Sequence, residues 1–176
     1  MSSENPPDEL PHVVLVAPRE SDTDFLDLLD SPEVAGQWDS FDDPAKEFLD
    51  FRSYAGGKRI VELADVTRVG SVSWIQIPYG PNARSLAWSI GITIHPDFRG
   101  RHLGAAAQRQ LAEMLLDLSD ANRVQADTDV DNVAEQRSLE RAGFTREGVA
   151  RQAQWRRGSW HDRIVYSLLR EEALGS

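Results

Sequence analysis

One stretch of this sequence constrains the fold more than any other, because it joins a strand, a basic turn and a long helix without interruption. Residues 86–94 (LAWSIGITI) are apolar and rich in β-branched side chains, as buried strands are. The turn HPDFRGRHLGAAA follows, and from Leu103 to Leu118 apolar side chains recur near the helical period, which predicts an amphipathic helix. The first N–H groups of a helix lack intrahelical partners and carry partial positive charge, so this turn predicts an anion-binding site.

The residues of the turn are those that a diphosphate requires at a helix N-terminus. Glycines let the backbone approach a ligand, alanines add no bulk, and arginines add positive charge: Arg99, Gly100, Arg101, Gly104, Ala105 and Ala106. Neither the P-loop pattern G-x-x-x-x-G-K-[ST] nor the dinucleotide pattern G-x-G-x-x-G is present. The motif is short, and an ordinary helix entry without a ligand is the alternative.

The rest of the chain predicts strands and helices that complete one sheet. Before the turn we expect a strand at 12–18, a helix with its N-cap at Ser21, a second helix from Asp43 and Pro44 to the glycines at 56 and 57, and a hairpin of 58–65 and 69–78. After it we expect a strand at 122–130, a helix at 132–143 and closing strands at 144–155 and 162–170. This order predicts a mixed sheet with helices on both faces, an α/β or α+β domain. Gly91, inside its strand, predicts a bulge or a close backbone approach by another group.

The length and composition indicate one globular domain. The chain has 176 residues, of which 40% are hydrophobic, and we expect a disordered tail over residues 1–11 and a single domain over residues 12–172. Neither a secretory signal nor an apolar run of the roughly 20 residues that cross a bilayer is present, so we expect a cytoplasmic protein without membrane contact. The absence of cysteine excludes disulfides and thiolate chemistry. The four histidines form no H-E-x-x-H motif, so we expect no metal site.

Negative charge is concentrated in the first third of the chain. The formal net charge is −10, and residues 1–50 hold 14 acidic residues against two basic ones, whereas residues 51–176 hold 15 against 17. The chain lacks the broad basic character that nucleic acids require, so we expect no nucleic-acid partner. The acidic third is suited to a cationic partner; alternatively, its carboxylates lie on solvated helix faces.

The strand, the turn and the helix together resemble the GNAT superfamily of acyl-CoA-dependent N-acyltransferases. The loop pattern of that family, [Q/R]-x-x-G-x-[G/A], falls on Arg101, Gly104 and Ala106. The downstream residues 127–172, which begin with DTDVDNVAEQRSLERAGF, are similar to the branch that acetylates N-terminal amines of ribosomal proteins, a branch that also includes antibiotic-modifying enzymes. The resemblance covers about residues 12–172 and is most specific over residues 86–170.

The resemblance implies a GNAT fold with acetyl-CoA as co-substrate. Its central sheet would be mixed, largely antiparallel and of about seven strands, flanked by helices, with a splayed parallel pair of strands at 86–94 and 123–130 holding the cofactor. Asn132 matches an asparagine that contacts the cofactor in the family, although asparagine also serves well as an N-cap. The implied cofactor-binding residues are Ile92, Thr93, Ile94, Arg99, Gly100, Arg101, His102, Leu103, Gly104, Ala105, Ala106 and Asn132.

The usual catalytic residues of the family are displaced in this chain. Acetyl transfer needs a neutral amine, a route for its proton and a proton for the departing thiolate. Many relatives carry a glutamate in the strand before the loop, where this chain has Ser89. Counted from Asn132, the tyrosine and serine places of other relatives fall on Leu139 and Glu135. We therefore expect Glu135 to act on the proton of the amine and Ser138 to protonate the thiolate.

Other assignments of the proton chemistry remain open. Glu135 is also explained as one member of a surface ion pair, and Ser138 as an ordinary helix position. His95 stands at the end of the strand before the loop, and His161 with Asp162 has the composition of a base and its orienting group. An α-amine, with a pKa of about 7.7–8.0, is partly neutral near pH 7 and needs no dedicated base.

The acceptor is expected to lie against the acidic third, where the family places the wall of the acceptor site. Trp38 and Phe41 are suited to stack on an acceptor, with Asp39, Asp42 and Asp43 attracting its ammonium group, or else both aromatic rings close over the core. Trp155 and Trp160 would line the opposite wall or only pack. The expected substrate-binding residues are Trp38, Phe41, Trp88 and Ser89.

These features predict an acetyl-CoA-dependent N-acetyltransferase. Its acceptor would be a primary amine of a peptide or protein N-terminus, or of a small metabolite or antibiotic. The alternative function is a non-catalytic acyl-CoA-binding module, which the missing glutamate and tyrosine favour. A homodimer is a further expectation, with the strand at 69–78 as an edge that pairs between chains.

Overall fold

The structure is a computed structural model, and it describes residues 9–38 and 56–175. Short 3₁₀ turns lie at Glu20–Asp22, Ala83–Ser85 and Pro96–Phe98. The predicted helix that begins at Asp43 and Pro44 lies outside the described residues. Within them the elements are β1 (Val14–Val16), α1 (Thr23–Leu29), α2 (Pro32–Ala35), β2 (Gly56–Glu62), β3 (Arg68–Pro78), β4 (Leu86–Ile94), α3 (Leu103–Asp117), β5 (Arg123–Asp129), α4 (Val133–Arg141), β6 (Thr145–Arg156), β7 (Ser159–Leu169) and α5 (Arg170–Leu174).

The strands of the described ranges form one seven-stranded sheet in the order β1-β2-β3-β4-β5-β7-β6. Neighbouring strands are antiparallel except β4 and β5, which are parallel. The expected mixed, largely antiparallel sheet is therefore confirmed. The expectation that the strand at 69–78 forms an edge is wrong, because β3 lies between β2 and β4, and the sheet as described ends at β1 and β6.

The parallel pair of strands is joined only at its beginning. Trp88 pairs with Val124 and Ser89 with Gln125, and the strands separate beyond these residues, which opens the sheet in its middle. Gly91 keeps its regular place in β4, opposite Ser73 of β3, so the predicted bulge is wrong. A Cβ at Gly91 would lie 3.1 Å from the Ser73 hydroxyl, so the close approach comes from the neighbouring strand.

The core lies between the sheet and α3, which is the longest helix in the described part of the chain. Leu111 and Leu116 of α3 are fully buried against Val124 and Tyr166 of the sheet. Trp88, expected to bind the acceptor, lies in this core instead, and its indole N–H donates to the hydroxyl of Ser119, just after the end of α3, at 3.0 Å. None of the described helices is long and apolar enough to span a membrane.

The entry to α1 differs from the prediction of an N-cap at Ser21. Asp22, which is completely buried, accepts a hydrogen bond from the backbone N–H of Arg19 at 2.7 Å and forms an ion pair with Arg68 of β3. Ser21 instead accepts from Arg68 at 3.2 Å. Asp22 stabilises this turn because its carboxylate accepts from the backbone of Arg19 and also pairs with the guanidinium of Arg68. Part of the acidic third therefore stabilises the fold.

Candidate active site

A cavity of about 1180 Å³ occupies the gap between β4 and β5. It reaches both faces of the sheet, because its walls include α3 and α4 on one side and the segment 36–38 on the other. The strands contribute residues 90–94 and 126–128 to its lining. A ligand that extends through the sheet would therefore touch strand backbone in its middle and different groups at its two ends.

The backbone of β4 presents two residues to this gap. The N–H of His95 donates to the carbonyl of Val69 at 2.9 Å, and hydrogen-bonding direction alternates along an antiparallel strand. The backbone of Thr93 therefore also faces β3, whereas the polar groups of Ile92 and Ile94 face the opened gap. An extended ligand can pair with Ile92 and Ile94 as a further strand would, while Thr93 lines the cavity without offering its backbone.

The N-terminus of α3 forms one end of the cavity. His102 adopts a left-handed conformation with φ 59°, and Gly100 has φ 74°. The first helical hydrogen bond at this end runs from the N–H of Ala106 to the carbonyl of His102 at 3.1 Å. His102 is the N-cap residue, and in the described part of the chain its side chain accepts no hydrogen bond from the N–H groups of the helix. The N–H groups of residues 103–105 precede that bond and border the cavity. This end is therefore suited to bind an anion.

The two arginines of the turn, which were expected to bind the cofactor, both donate to backbone carbonyls in this structure. Arg99 borders the cavity, and its guanidinium donates to the carbonyls of Ile94 at 2.9 Å and Val34 at 2.7 Å, so it ties the end of β4 to α2. Arg101 donates to the carbonyl of Asp97 at 3.0 Å and lies over the ring of Phe98. Arg101 is therefore outside the described lining of the cavity in this conformation.

Gly104 lies where α3 and α4 meet. A Cβ at this position would lie 3.2 Å from the hydroxyl oxygen of Ser138, so glycine permits the close approach of the two helices. Ala106, which matches the last position of the loop pattern, is 6% exposed and belongs to the core rather than to the described lining. Within the pattern, Gly104 is the position that meets the cavity directly.

The beginning of α4 carries both predicted catalytic residues. The side-chain oxygen of Asn132 accepts from the N–H of Glu135 at 3.3 Å, so Asn132 is the N-cap of α4 as well as a lining residue. Glu135 and Ser138 both line the cavity, near the N-terminus of α3. The structure thus brings the two residues to one place, and their catalytic roles stay predictions.

A residue that sequence reasoning missed connects them, Gln108 of α3. Its side-chain amide donates to the carboxylate of Glu135, and its oxygen accepts from the Ser138 hydroxyl at 3.0 Å. Gln108 is 1% exposed. It stands four residues after Gly104 and three before Leu111, in the buried stripe of the helix. Its sequence signal is a polar residue at a position where the helical period predicts an apolar one.

The other end of the cavity is formed by Trp38. Its carbonyl accepts from Arg156 of β6 at 2.9 Å, and the guanidinium lies 5.6 Å from the centre of its indole ring. Arg156 is itself only 3% exposed and forms a 2.6 Å ion pair with Asp129 at the end of β5. Phe41, together with Asp39, Asp42 and Asp43, lies outside the described residues.

The carboxylate of Asp129 is held in its charged form. Burial by itself raises the pKa of this group, but hydrogen bonds from the N–H of Asp131 and from Arg156, with the nearby His161, outweigh burial and lower the pKa below its ordinary value. His161 lies 3.5 Å from Asp129, whereas the carboxylate of Asp162 accepts from the N–H of Gln152. The predicted pairing of His161 with Asp162 is therefore wrong, because successive side chains of a strand face opposite ways.

Several other sequence candidates lie away from the cavity. Ser89 pairs with Gln125 where the parallel strands are still joined, outside the described lining. The ring of His95 stacks on Phe25 and its nitrogen accepts from the N–H of Asp97. Trp155 and Trp160 pack edge to face on the β6–β7 hairpin, with their ring centres 5.3 Å apart, and are 40% and 58% exposed. In the described ranges no cluster of three or more histidine, aspartate or glutamate side chains has the arrangement of a metal site.

Comparison with known proteins supplies a family and a fold. A family model described as an acetyltransferase (GNAT) domain matches residues 12–145. The putative ribosomal N-acetyltransferase YdaF of Bacillus subtilis (strain 168) is 36% identical over 83 residues, which cover 47% of this chain and 45% of that protein. The matched part is thus less than half of that relative.

Solved structures match over nearly the whole chain. A spermidine N-acetyltransferase from Vibrio cholerae, in complex with CoA and spermine, superposes with a TM-score of 0.74 at 19% identity and covers 92% of this chain and 98% of its own. RimL, a ribosomal L7/L12 alpha-N-protein acetyltransferase in complex with coenzyme A, gives 0.70 at 23% identity, with 93% and 96% covered. At these identities the likeness confirms the fold that the sequence implied.

Proposed function

The chain belongs to the acetyltransferase (GNAT) domain family, and from this membership we propose that it transfers the acetyl group of acetyl-CoA to a primary amine. One observation carries the proposal: the cavity passes through the sheet between β4 and β5, with the N-terminus of α3 at one end. The co-substrate and the amine would therefore meet inside the sheet from opposite sides.

The residues at the helix end fit the chemistry of acetyl-CoA. A diphosphate requires several N–H donors at close range, and residues 103–105 offer theirs at the border of the cavity. The pantetheine arm carries amide groups, and the backbone of Ile92 and Ile94 faces the gap where such an arm would lie. Gly100 and Gly104 remove side-chain bulk along this path. Acetyl-CoA would supply the thioester that the amine attacks.

The remaining task of the chain is to move protons. In the transfer, the carbon–sulfur bond of the thioester breaks, a carbon–nitrogen bond forms, and one proton passes from the amine to the sulfur. Glu135, which lines the cavity, would accept the proton of the amine. Ser138, on the same helix and beside Gly104, would contact the departing sulfur.

The acceptor would enter from the side of Trp38. The indole of Trp38 and the carboxylate of Asp127, which is paired with Arg163, both line the cavity and are suited to an ammonium group or its neutral amine. Relatives are named for ribosomal proteins and for spermidine. We include in the proposal a peptide or protein N-terminus or a small amine as acceptor, a cytoplasmic location, a possible homodimer and no nucleic-acid partner.

A second function has one observation in its favour. Ser89 stands at the place of the glutamate that many family members use, so a non-catalytic acyl-CoA-binding module is the rival. The test is a thiol-release assay with acetyl-CoA and three acceptor classes: N-terminal peptides, polyamines and aminoglycosides. Release with one class supports transfer and names the acceptor. Acetyl-CoA binding without release from any class would favour the module.

A further inference from the structure

We propose that Gln108 is a positioning residue that holds Glu135 and Ser138 as one hydrogen-bonded unit and sets the direction of their hydrogen bonds. The inference rests on the proposed function, because it assigns a role in that reaction. Its basis is the contact of one buried amide with both residues: Gln108 donates to Glu135 and accepts from Ser138 at 3.0 Å.

The chemistry of Glu135, Gln108 and Ser138 determines which group donates and which accepts in each of the two hydrogen bonds. An ionised carboxylate only accepts hydrogen bonds, so the NH₂ group of Gln108 must face Glu135 and its oxygen must face Ser138. An amide oxygen also only accepts, so the hydroxyl of Ser138 must donate its proton to Gln108. Ser138 therefore presents lone pairs, and not its proton, to other neighbours while Glu135 is ionised.

This arrangement divides the work between the two residues. Glu135 is oriented by the donor from Gln108, and an ionised carboxylate is able to accept a proton. Ser138 is held as an acceptor and acts on the sulfur only after its bond to Gln108 breaks. Gln108 also borders the cavity, but both of its side-chain groups are taken up by Glu135 and Ser138, so its role would be exerted through those two residues.

The position of Gln108 argues against simple packing. The Gln108 side chain is 1% exposed and bridges from α3 to α4, and the buried core to which both helices contribute contains apolar side chains such as Leu111 and Leu139. A buried amide is tolerated when both of its ends are satisfied. The groups that satisfy both ends are Glu135 and Ser138, two of the polar side chains of α4 that line the cavity.

The variant Gln108→Met keeps the size of the side chain and removes both hydrogen bonds. We expect kcat to fall about tenfold, with the KM for acetyl-CoA and the thermal midpoint close to those of the parent chain. Gln110→Met is the matched control. Gln110 lies on the same helix, and its side-chain oxygen has no hydrogen-bond partner among the described residues, so kcat should stay unchanged.

A second variant, Gln108→Glu, gives a readout that a packing role would not move. It places a second carboxylate beside Glu135, and like charges disfavour ionisation. The acid limb of the kcat profile should therefore shift to higher pH, by about one unit. The Ser138→Ala effect on kcat should also be smaller in the Gln108→Met background than in the parent, because the two residues act as a unit.

The outcomes separate this inference from the proposed function. Gln108→Met with the kcat and the pH profile of the parent, or Gln108→Glu with an unshifted acid limb, would overturn the role of Gln108. A parent chain that binds acetyl-CoA but releases thiol with no amine would overturn the proposed function. In that case ¹⁵N NMR of the Gln108 side-chain amide still decides the contact: its signal must move in Glu135→Gln and in Ser138→Ala, and an unmoved signal contradicts it.

Discussion

The helix end of the cavity, at Gly100 and residues 102–105, consists of neighbouring residues of one turn, whereas the loop end is Trp38, which is held by a side chain from a distant part of the chain. The helix end is complete within one short segment. At the loop end, Trp38 lines the cavity, and Arg156, which is paired with Asp129, holds Trp38 across 118 positions of the sequence. A ligand at the helix end would be bound by N–H groups that substitution cannot remove.

This difference determines which changes each end tolerates. Side chains at the helix end matter mainly by the space and the charge they add, because the donors are peptide N–H groups. At the loop end a side chain acts through the contacts it makes, because Arg156 both donates a hydrogen bond to the carbonyl of Trp38 and neutralises the charge of Asp129. Substitutions at the two ends should therefore change different measured quantities.

The largest effect is expected at the loop end, from Arg156→Met. This variant leaves the carboxylate of Asp129 buried and without its guanidinium partner, which should lower the free energy of unfolding by about 3–5 kcal/mol in urea titrations. Arg163→Met is the control, because Arg163 and its partner Asp127 are more exposed, and its cost should be much smaller. A loss for Arg156→Met no larger than the control would show that the loop end is not held as described.

The next effect is expected at the helix end, from Gly104→Asp. A carboxylate beside the N–H groups of residues 103–105 repels a diphosphate, so acetyl-CoA affinity should fall by at least about 100-fold. Gly104→Ala adds the same Cβ, 3.2 Å from the Ser138 hydroxyl, without the charge, and should lose less than about tenfold. Calorimetric titration measures both, and equal losses would mean that space and not charge decides.

Between the two ends, Glu135→Gln tests the proton chemistry. Turnover should fall at least about tenfold, while acetyl-CoA affinity stays near that of the parent, because the amide cannot accept the proton of the amine. Steady-state thiol release with the best acceptor gives kcat and both KM values. An unchanged kcat would mean that water or another group takes the proton.

Trp38→Ala should act on the acceptor alone. Loss of the indole removes a face on which a cation can stack, so the KM of the acceptor should rise about tenfold without a change in acetyl-CoA affinity. Trp160→Ala is the control, because Trp160 is exposed on the β6–β7 hairpin and outside the described lining. Equal effects of the two variants would remove Trp38 from the acceptor site.

The smallest effect is expected away from both ends, at Glu147. A hydrogen bond from Arg123, against the opposing effect of burial and with help from Ser167, lowers the pKa of Glu147 to about 2. A carboxyl group whose pKa is lowered by folding stabilises the folded state at pH values above its ordinary pKa. This stabilisation is lost as the pH falls toward 2. Glu147→Gln should lower the thermal midpoint slightly at pH 7, and the difference from the parent should shrink between about pH 4.5 and pH 2. A difference that is constant with pH would contradict the ion pair.

The helix end could be predicted from the sequence because its signals are local. The bounds of β4 and the first residue of α3 match the prediction, since β-branched residues, glycines and alanines act through their own backbone. The Gly91 bulge was a wrong prediction, because a regular pairing with Ser73 accommodates the glycine.

The loop end could not be predicted because its contacts join distant residues. Nothing near Arg156 in the sequence indicates that it supports Trp38, and the carboxylate beside His161 is Asp129 rather than the adjacent Asp162. Trp88 was expected at the acceptor, but strand pairing directs its indole into the core. The roles of Asn132, Glu135 and Ser138 stay predictions, although the structure brings all three to the cavity.

The most direct test of the diphosphate site is a calorimetric titration of the parent chain with acetyl-CoA and, separately, with pantetheine. Pantetheine has the arm but lacks the diphosphate that the N-terminus of α3 would bind. We expect one acetyl-CoA site per chain and binding of pantetheine weaker by at least about 100-fold. No binding of acetyl-CoA, or equal affinity for the two compounds, would contradict a diphosphate site at this helix.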